Sequence, residues 1–284
     1  MTPDPLAWQP HPDVWLLAVA LAGGYLYALS AYGPRLAPGR PAATRRQRTC
    51  FLAGVAVLWI GADWPIHGLA EDYLFFVHMG QHMLFQFIAP PLLILGLPTW
   101  LLRAALRPPA VFAVAKRLTR ALPALVIVNV LIVASHWPAW VNATVHNGLL
   151  HVLAHALIVG TALLMWWPVL SPLPELPHLS YPGRMVYLFG HSVIPTVPAS
   201  FLTFSTRPLY SAYVEAPRLA DWLTPAQDQQ IAGLMMKLVG GLLLWAVIGT
   251  LFFRWQHEEE SGGPDILYWH DLEPDLAQRE LSRS

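Results

Sequence analysis

The chain has 284 residues, of which 55% are hydrophobic and only 12% charged, and its formal net charge is zero. A soluble domain carries about 25% charged residues, so this chain has too few polar groups to cover a globular surface. The composition excludes a soluble protein and an intrinsically disordered one. The absence of a net positive charge argues against nucleic-acid binding, and a single cysteine, Cys50, excludes a disulfide framework. We therefore predict an integral protein of the lipid bilayer.

Apolar stretches long enough to cross a bilayer as helices, about 20 residues each, recur along the chain. We predict an all-α fold, a seven-transmembrane-helix bundle with spans at residues 13–32, 49–66, 73–96, 121–138, 146–168, 182–204 and 228–254. No Lys or Arg precedes the first span, so we expect a retained helix and not a cleavable signal peptide. Prolines should kink or break the third span at Pro90–Pro91 and kink the sixth at Pro195 and Pro198.

Basic residues are distributed unequally between the loops. They cluster after the first span, at residues 35–48, and after the third, at residues 103–120, and they are absent after the second and fourth spans. Because cytoplasmic loops carry the excess of Lys and Arg, we predict that the N-terminus lies outside and the C-terminus inside. Residues 1–255 then form the membrane domain, and residues 256–284 form a polar cytoplasmic tail. The basic segment 97–120 is expected to lie along the inner surface as an interfacial helix.

Two pairs of histidines have the same spacing in two different spans. His78 and His82 lie in the third span and His151 and His155 in the fifth, each pair separated by four residues. This spacing places both imidazoles of a pair on one helix face. Both spans enter from the same side, so the pairs should lie at one depth, roughly 8–14 Å below the outer boundary. Ionisable groups in a membrane usually mark function and imidazole binds copper and zinc, so we predict a metal site.

Other residues near that depth are weaker candidates for the same site. Met235 and Met236 in the last span offer thioether sulfur, which favours Cu(I). His67 and Asp63 lie at the mouth between the second and third spans, where they would guide metal entry. Three further histidines are either additional ligands or hydrogen-bonding residues of the core: His136, His146 and His191. We assign no role to the histidines near loops and tails, such as His11.

The motifs around these histidines resemble those of a known family. The run from Asp63 to His67, the stretch from Tyr73 through His78–Leu84 to Pro98, the His151–His155 span and the segments 203–205 and 210–213 are similar to the caa3-type CtaG family. The resemblance covers roughly residues 50–255. It implies a multi-pass protein of the bacterial inner membrane that is needed to assemble cytochrome c oxidase and is connected with its copper. The implied partner is the catalytic subunit of a haem–copper oxidase, which holds one copper on three histidines within the membrane; a periplasmic copper chaperone is a further candidate.

Together these observations favour an assembly factor that is not an enzyme. It would bind copper, preferably as Cu(I), in the outer half of the membrane and help to load the copper centre of the oxidase. One alternative is a zinc-dependent intramembrane hydrolase, in which Asp63 or Glu71 would act as general base if their loop folds inward. Another is a metal-free scaffold that recruits oxidase subunits. The sequence leaves the oligomeric state open.

Overall fold

The structure is a computed structural model that describes residues 4–262, and within that range it contains helices and no strands. The α-helices are α1 (Pro12–Ala31), α2 (Gly33–Leu36), α3 (Arg45–Ala62), α4 (Ile66–Asp72), α5 (Phe75–Met83), α6 (Ala89–Gly96), α7 (Thr99–Ala105), α8 (Pro109–Leu118), α9 (Ala121–Ser135), α10 (Pro138–Val145), α11 (Gly148–Leu170), α12 (Tyr181–Val193), α13 (Thr196–Phe204), α14 (Ser211–Glu215) and α15 (Pro225–Gly262). A π-helical turn, Leu84–Ile88, joins α5 to α6.

Four to seven of these segments are candidate membrane spans. Four are long and apolar enough by themselves: α1, α11, the stretch Tyr181–Phe204 and α15. Three more arise if each bent pair counts as one span: α3 with α4, bent by 42°, Phe75–Gly96 with α7, bent by 99°, and α8 with α9, bent by 77°. The all-helical membrane fold is confirmed, and every predicted span falls on one of these segments.

A π-helical turn directly precedes the helix that contains the two prolines of the third span, and the span is not broken there. Proline has no N–H group, so the carbonyl four residues before it loses its helical partner. For Pro90 that carbonyl belongs to Gln86, and it accepts a hydrogen bond from the indole Nε1 of Trp166 at 2.9 Å. In the sixth span the helix is interrupted at Ile194–Pro195, between α12 and α13. The helix of the sixth span is therefore interrupted at Pro195, where the sequence predicts a kink, whereas the third span stays helical through Pro90–Pro91 after a π-helical turn.

Residues 97–120 form the short helices α7 and α8, which turn sharply from the long helices beside them. No residue of α8 is buried, and its exposed apolar side chains include Val111 and Val114. An exposed ion pair of 2.8 Å joins Arg103 of α7 to Glu175 in the loop after α11. The hydrogen bond from Arg103 lowers the pKa of Glu175. This geometry suits a helix lying on the membrane surface, which stays a prediction.

Small residues allow close helix packing in the bundle. A Cβ atom on Gly96 of α6 would lie 2.5 Å from the backbone nitrogen of Phe51 in α3. A Cβ atom on Gly233 of α15 would lie 2.8 Å from the backbone nitrogen of Thr203 in α13. Glycine at such contacts lets backbones approach and gain dispersion energy, which drives helix association in lipid.

The last helix, α15, is longer than a bilayer requires. Its 38 residues span about 57 Å at 1.5 Å per residue, whereas the hydrocarbon core is about 30 Å thick. Residues 256–262, the start of the predicted polar tail, continue this helix. The rest of that predicted tail, residues 263–284, lies outside the described residues.

Candidate metal centre

The two helices that carry the histidine pairs begin in the same way. The carboxylate of Asp228 in α15 accepts hydrogen bonds of 2.9 Å from the backbone nitrogens of Phe75 and Phe76, the first residues of α5. The side chain of Asn147 accepts one of 3.1 Å from Leu150 at the start of α11. These contacts satisfy N–H groups that have no partner within the helix. In each helix the first histidine stands three residues after the first helical residue, so both pairs lie at the same distance from the start of their helix.

The two histidine pairs face each other. Ring centroids are 4.2 Å apart within each pair. Across the helices, the ring of His155 lies 5.5 Å from that of His82 and 5.9 Å from that of His78, and His78 lies 6.0 Å from His151. The four imidazoles therefore form one compact cluster between α5 and α11.

Three of these histidines have the geometry of a metal site. One ring nitrogen from each of His78, His82 and His155 lies within 4.8 Å of the other two. The Nε2 atoms of His82 and His155 are buried and have no hydrogen-bond partner. A buried polar atom without a partner is costly, and a bound cation would remove that cost. The three rings line a cavity of about 60 Å³ together with Met79, Gln86 and His136.

A second group lies beside the first and contains a carboxylate. Ligand atoms of His67, Glu71 and His151 also lie within 4.8 Å of one another. Glu71 Oε1 is 2.9 Å from His151 Nε2 and 3.4 Å from His78 Nδ1, although neither contact has the angle of a full hydrogen bond. A carboxylate at this position favours the proton on His78 Nδ1 and leaves Nε2 of that ring free to bind a metal.

Gln81 decides which nitrogen of His67 carries a proton. Its Nε2 donates to the carbonyl of Gly61 at 2.7 Å and lies 3.1 Å from His67 Nδ1. An amide nitrogen only donates, so His67 Nδ1 accepts, and the proton of the neutral ring is on Nε2. A metal ion can bind His67 at Nδ1 only by displacing Gln81. His67 is therefore a weaker ligand than the three histidines of the first group.

Asp63 lies near the cluster but its carboxylate is occupied by other groups. Its oxygens accept hydrogen bonds from the indoles of Trp15, at 2.7 Å, and Trp59, at 2.8 Å, and from the backbone of Trp64. Nδ1 of His11 lies 3.2 Å from the same carboxylate. The structure thus places the predicted entry residue in a network of donors and not among the ligand atoms.

The two predicted methionines pack in the apolar core. Met236 is buried with Phe75, Met79 and Leu202 in a cluster that joins α5, α13 and α15, and Met235 packs against that cluster. Neither methionine lines the histidine cavity. Their role as copper ligands stays a prediction.

Three histidines are expected from the sequence to be either additional ligands or hydrogen-bonding residues of the core. Each of them uses one ring nitrogen in a hydrogen bond. His136 Nδ1 lies 2.7 Å from the Ile132 carbonyl, and His146 Nδ1 lies 2.6 Å from the Asn142 carbonyl. His191 Nδ1 lies 3.1 Å from Asn129 Nδ2. Only His136 lines the histidine cavity.

The comparisons with known proteins decide the family. The model of the cytochrome c oxidase caa3 assembly factor family, Caa3_CtaG, matches residues 23–258. The chain belongs to this family. No curated protein and no solved structure matches it.

Membership of the Caa3_CtaG family confirms the resemblance and assigns the chain to cytochrome c oxidase assembly. The matched region contains the four histidines of the cluster together with His67, Glu71 and Gln81. Sequence reasoning considered Glu71 only as a candidate general base of the hydrolase alternative, gave His11 no role and missed Gln81. A polar residue between two histidines of an apolar span could have drawn attention to Gln81, whereas the N-terminal segment carries no signal that its histidine folds back over the bundle.

Proposed function

We propose that this Caa3_CtaG protein binds Cu(I) as cargo on His78, His82 and His155 and helps to load the copper centre of a haem–copper oxidase. The observation that supports this most directly is the set of three facing imidazoles, two of which, those of His82 and His155, have a buried Nε2 atom that lacks a partner. Neutral imidazole is a suitable ligand for copper. The family connects the chain with an oxidase, and the catalytic subunit of such an oxidase holds a copper on three histidines.

The arrangement of donors suits transfer better than permanent storage. Three nitrogen ligands leave room for a fourth from an acceptor, so the ion could pass by ligand exchange. Glu71 would orient His78 through its Nδ1 without binding the ion itself. The protein would act without catalysing a reaction on a substrate.

The proposal includes a location. The chain would be a multi-pass protein of the bacterial inner membrane with seven spans, its N-terminus outside and its tail in the cytoplasm. The histidine cluster would then lie in the outer half of the membrane. This is the side on which a periplasmic chaperone could deliver copper, and the catalytic subunit could receive it from within the bilayer.

Two alternatives from the sequence, a zinc-dependent hydrolase and a metal-free scaffold, gain no support from the family. The metal content of the purified protein distinguishes both alternatives from the proposal. A hydrolase would contain zinc with an open coordination position, and a scaffold would contain no metal.

The test is metal analysis of the full-length protein purified anaerobically after loading with Cu(I). We expect wild type to retain about one copper per chain, the capacity of one three-nitrogen site. The double variant His78→Ala/His82→Ala should retain none, because only one of the three ligands remains.

The matched control is His146→Ala/His178→Ala, which removes two exposed histidines outside the cluster. It should bind copper like wild type. Copper retained by the cluster variant, or an empty wild type, would refute the proposal, and stoichiometric zinc in wild type would favour the hydrolase.

A further inference from the structure

A series of imidazoles leads from the edge of the molecule to the metal centre. The ring of His11 contacts that of His67 edge-on, with centroids 4.8 Å apart. His67 in turn lies 5.6 Å from His151 and 6.3 Å from His155. The side chain of His11 is 17% exposed, and that of His151 at the other end of the series is 9% exposed. His11 precedes the region that the family model matches, residues 23–258.

The N-terminal segment holds His11 at this edge. Trp8 stacks on Trp15 of α1 with ring centroids 6.2 Å apart, and the indole of Trp64 donates to the carbonyl of Leu6. The side chain of Gln9 lies over Gly68 in α4, the helix that carries His67 and Glu71, where a Cβ atom on Gly68 would be 3.4 Å from Gln9 Oε1. The segment before α1 therefore lies against α4, next to the histidine cluster.

Asp63 orients His11 for metal binding. Because three other donors already occupy this carboxylate, its remaining contact is the one with Nδ1 of His11, at 3.2 Å. A histidine that donates its Nδ1–H to a carboxylate presents Nε2 as the ligand, and the carboxylate raises the basicity of that nitrogen. The same arrangement of imidazole and carboxylate supports metal ligands in many proteins.

We propose that His11 is the first metal-binding residue on the entry path of Cu(I), with Asp63 as its positioning residue and His67 as the next ligand. The inference rests on the proposed function. The ion binds His11 Nε2 and then moves by ligand exchange, in which one copper–nitrogen bond forms as another breaks and the copper remains Cu(I). His67 Nδ1 must release Gln81 to take part, so it holds the ion only weakly, which suits a residue that passes the ion on.

The test is the rate at which the full-length protein in lipid nanodiscs takes up Cu(I) from a chromophoric chelator. We compare wild type with His11→Asn, which has no imidazole, and with His11→Cys, whose sulfur binds Cu(I). When His11 binds Cu(I) first, it raises the effective concentration of the ion at the next ligand, His67. Without this imidazole, we expect uptake by H11N to be about tenfold slower. Its final stoichiometry should equal that of wild type, and H11C should restore the rate.

The matched control is His146→Asn, which removes an exposed histidine whose Nδ1 also has a hydrogen-bond partner; its uptake rate should equal that of wild type. Uptake by H11N at the wild-type rate would overturn the inference and leave the proposed function standing. Slow uptake by both His11 variants would assign His11 a structural role and also overturn it. A wild type that takes up no Cu(I) would instead refute the proposed function.

Discussion

At the scale of single residues, the hydrogen-bond partner of each ring nitrogen decides what that ring can do. Gln81 occupies one nitrogen of His67, whereas Glu71 leaves Nε2 of His78 free. Distance alone gives two candidate groups of ligands. The proton positions favour the group of His78, His82 and His155.

Glu71 provides a test at this scale. The change Glu71→Gln preserves the size of the side chain but removes the negative charge beside His78 and His151. We expect the affinity for Cu(I) to fall about tenfold or more, the usual cost of losing a carboxylate that supports a metal ligand. Competition with a chromophoric Cu(I) chelator measures the affinity. Asp72→Asn, at an exposed neighbouring carboxylate, is the control, and equal affinities in the two variants would contradict the role of Glu71.

At the scale of helices, the position of α5 depends on its neighbours at both ends. Asp228 of α15 binds the first backbone N–H groups of α5, and Trp166 of α11 satisfies the Gln86 carbonyl that Pro90 leaves without a partner. The glycine contacts bring α15 close to α13, and both helices contribute to the core on which α5 packs. The histidine helix is thus held by contacts that are distant in sequence.

The close contact at Gly233 provides a test at the scale of helices. Gly233→Ala would place a methyl group 2.8 Å from the Thr203 backbone nitrogen and 2.9 Å from the Ala199 carbonyl oxygen. We expect a loss of about 1–3 kcal/mol in the free energy of unfolding, because backbone atoms cannot move aside easily. Thermal unfolding in detergent micelles measures it. Gly241→Ala is in the same helix, and outside that helix no atom lies within 4 Å of the new methyl group. This variant should unfold like wild type, and equal midpoints for both variants would contradict the packing account.

At the scale of the whole molecule, the spans and their direction determine which side of the membrane the histidine cluster faces. The basic loops at residues 35–48 and 103–120 predict a cytoplasmic location for those loops. His11, α4 and the N-terminal ends of α5 and α11 contact one another through the histidine cluster. If the N-terminus is outside, the histidine cluster faces the periplasm.

Cysteine labelling tests this orientation. Cys50 is the only cysteine, so Cys50→Ala gives a background without thiols into which Ser211→Cys and Ser261→Cys are introduced separately; both positions are exposed. A membrane-impermeant thiol reagent applied to intact cells should label Ser211→Cys and should label Ser261→Cys only after lysis. The reverse pattern would place the metal centre near the cytoplasm and exclude delivery from a periplasmic chaperone.

Sequence alone was enough for the membrane class, the family and the two histidine pairs. Hydropathy and an i, i+4 spacing are local properties, because a helix fixes the direction of each side chain relative to its neighbours. Only the tertiary structure decided that the pairs face each other and that Glu71 lies between two rings. It also placed Met235 and Met236 in the core and brought His11 to His67 across more than 50 positions. These features depend on the rotation and packing of whole helices, which the apolar pattern constrains only weakly because lipid accepts an apolar helix in any rotation.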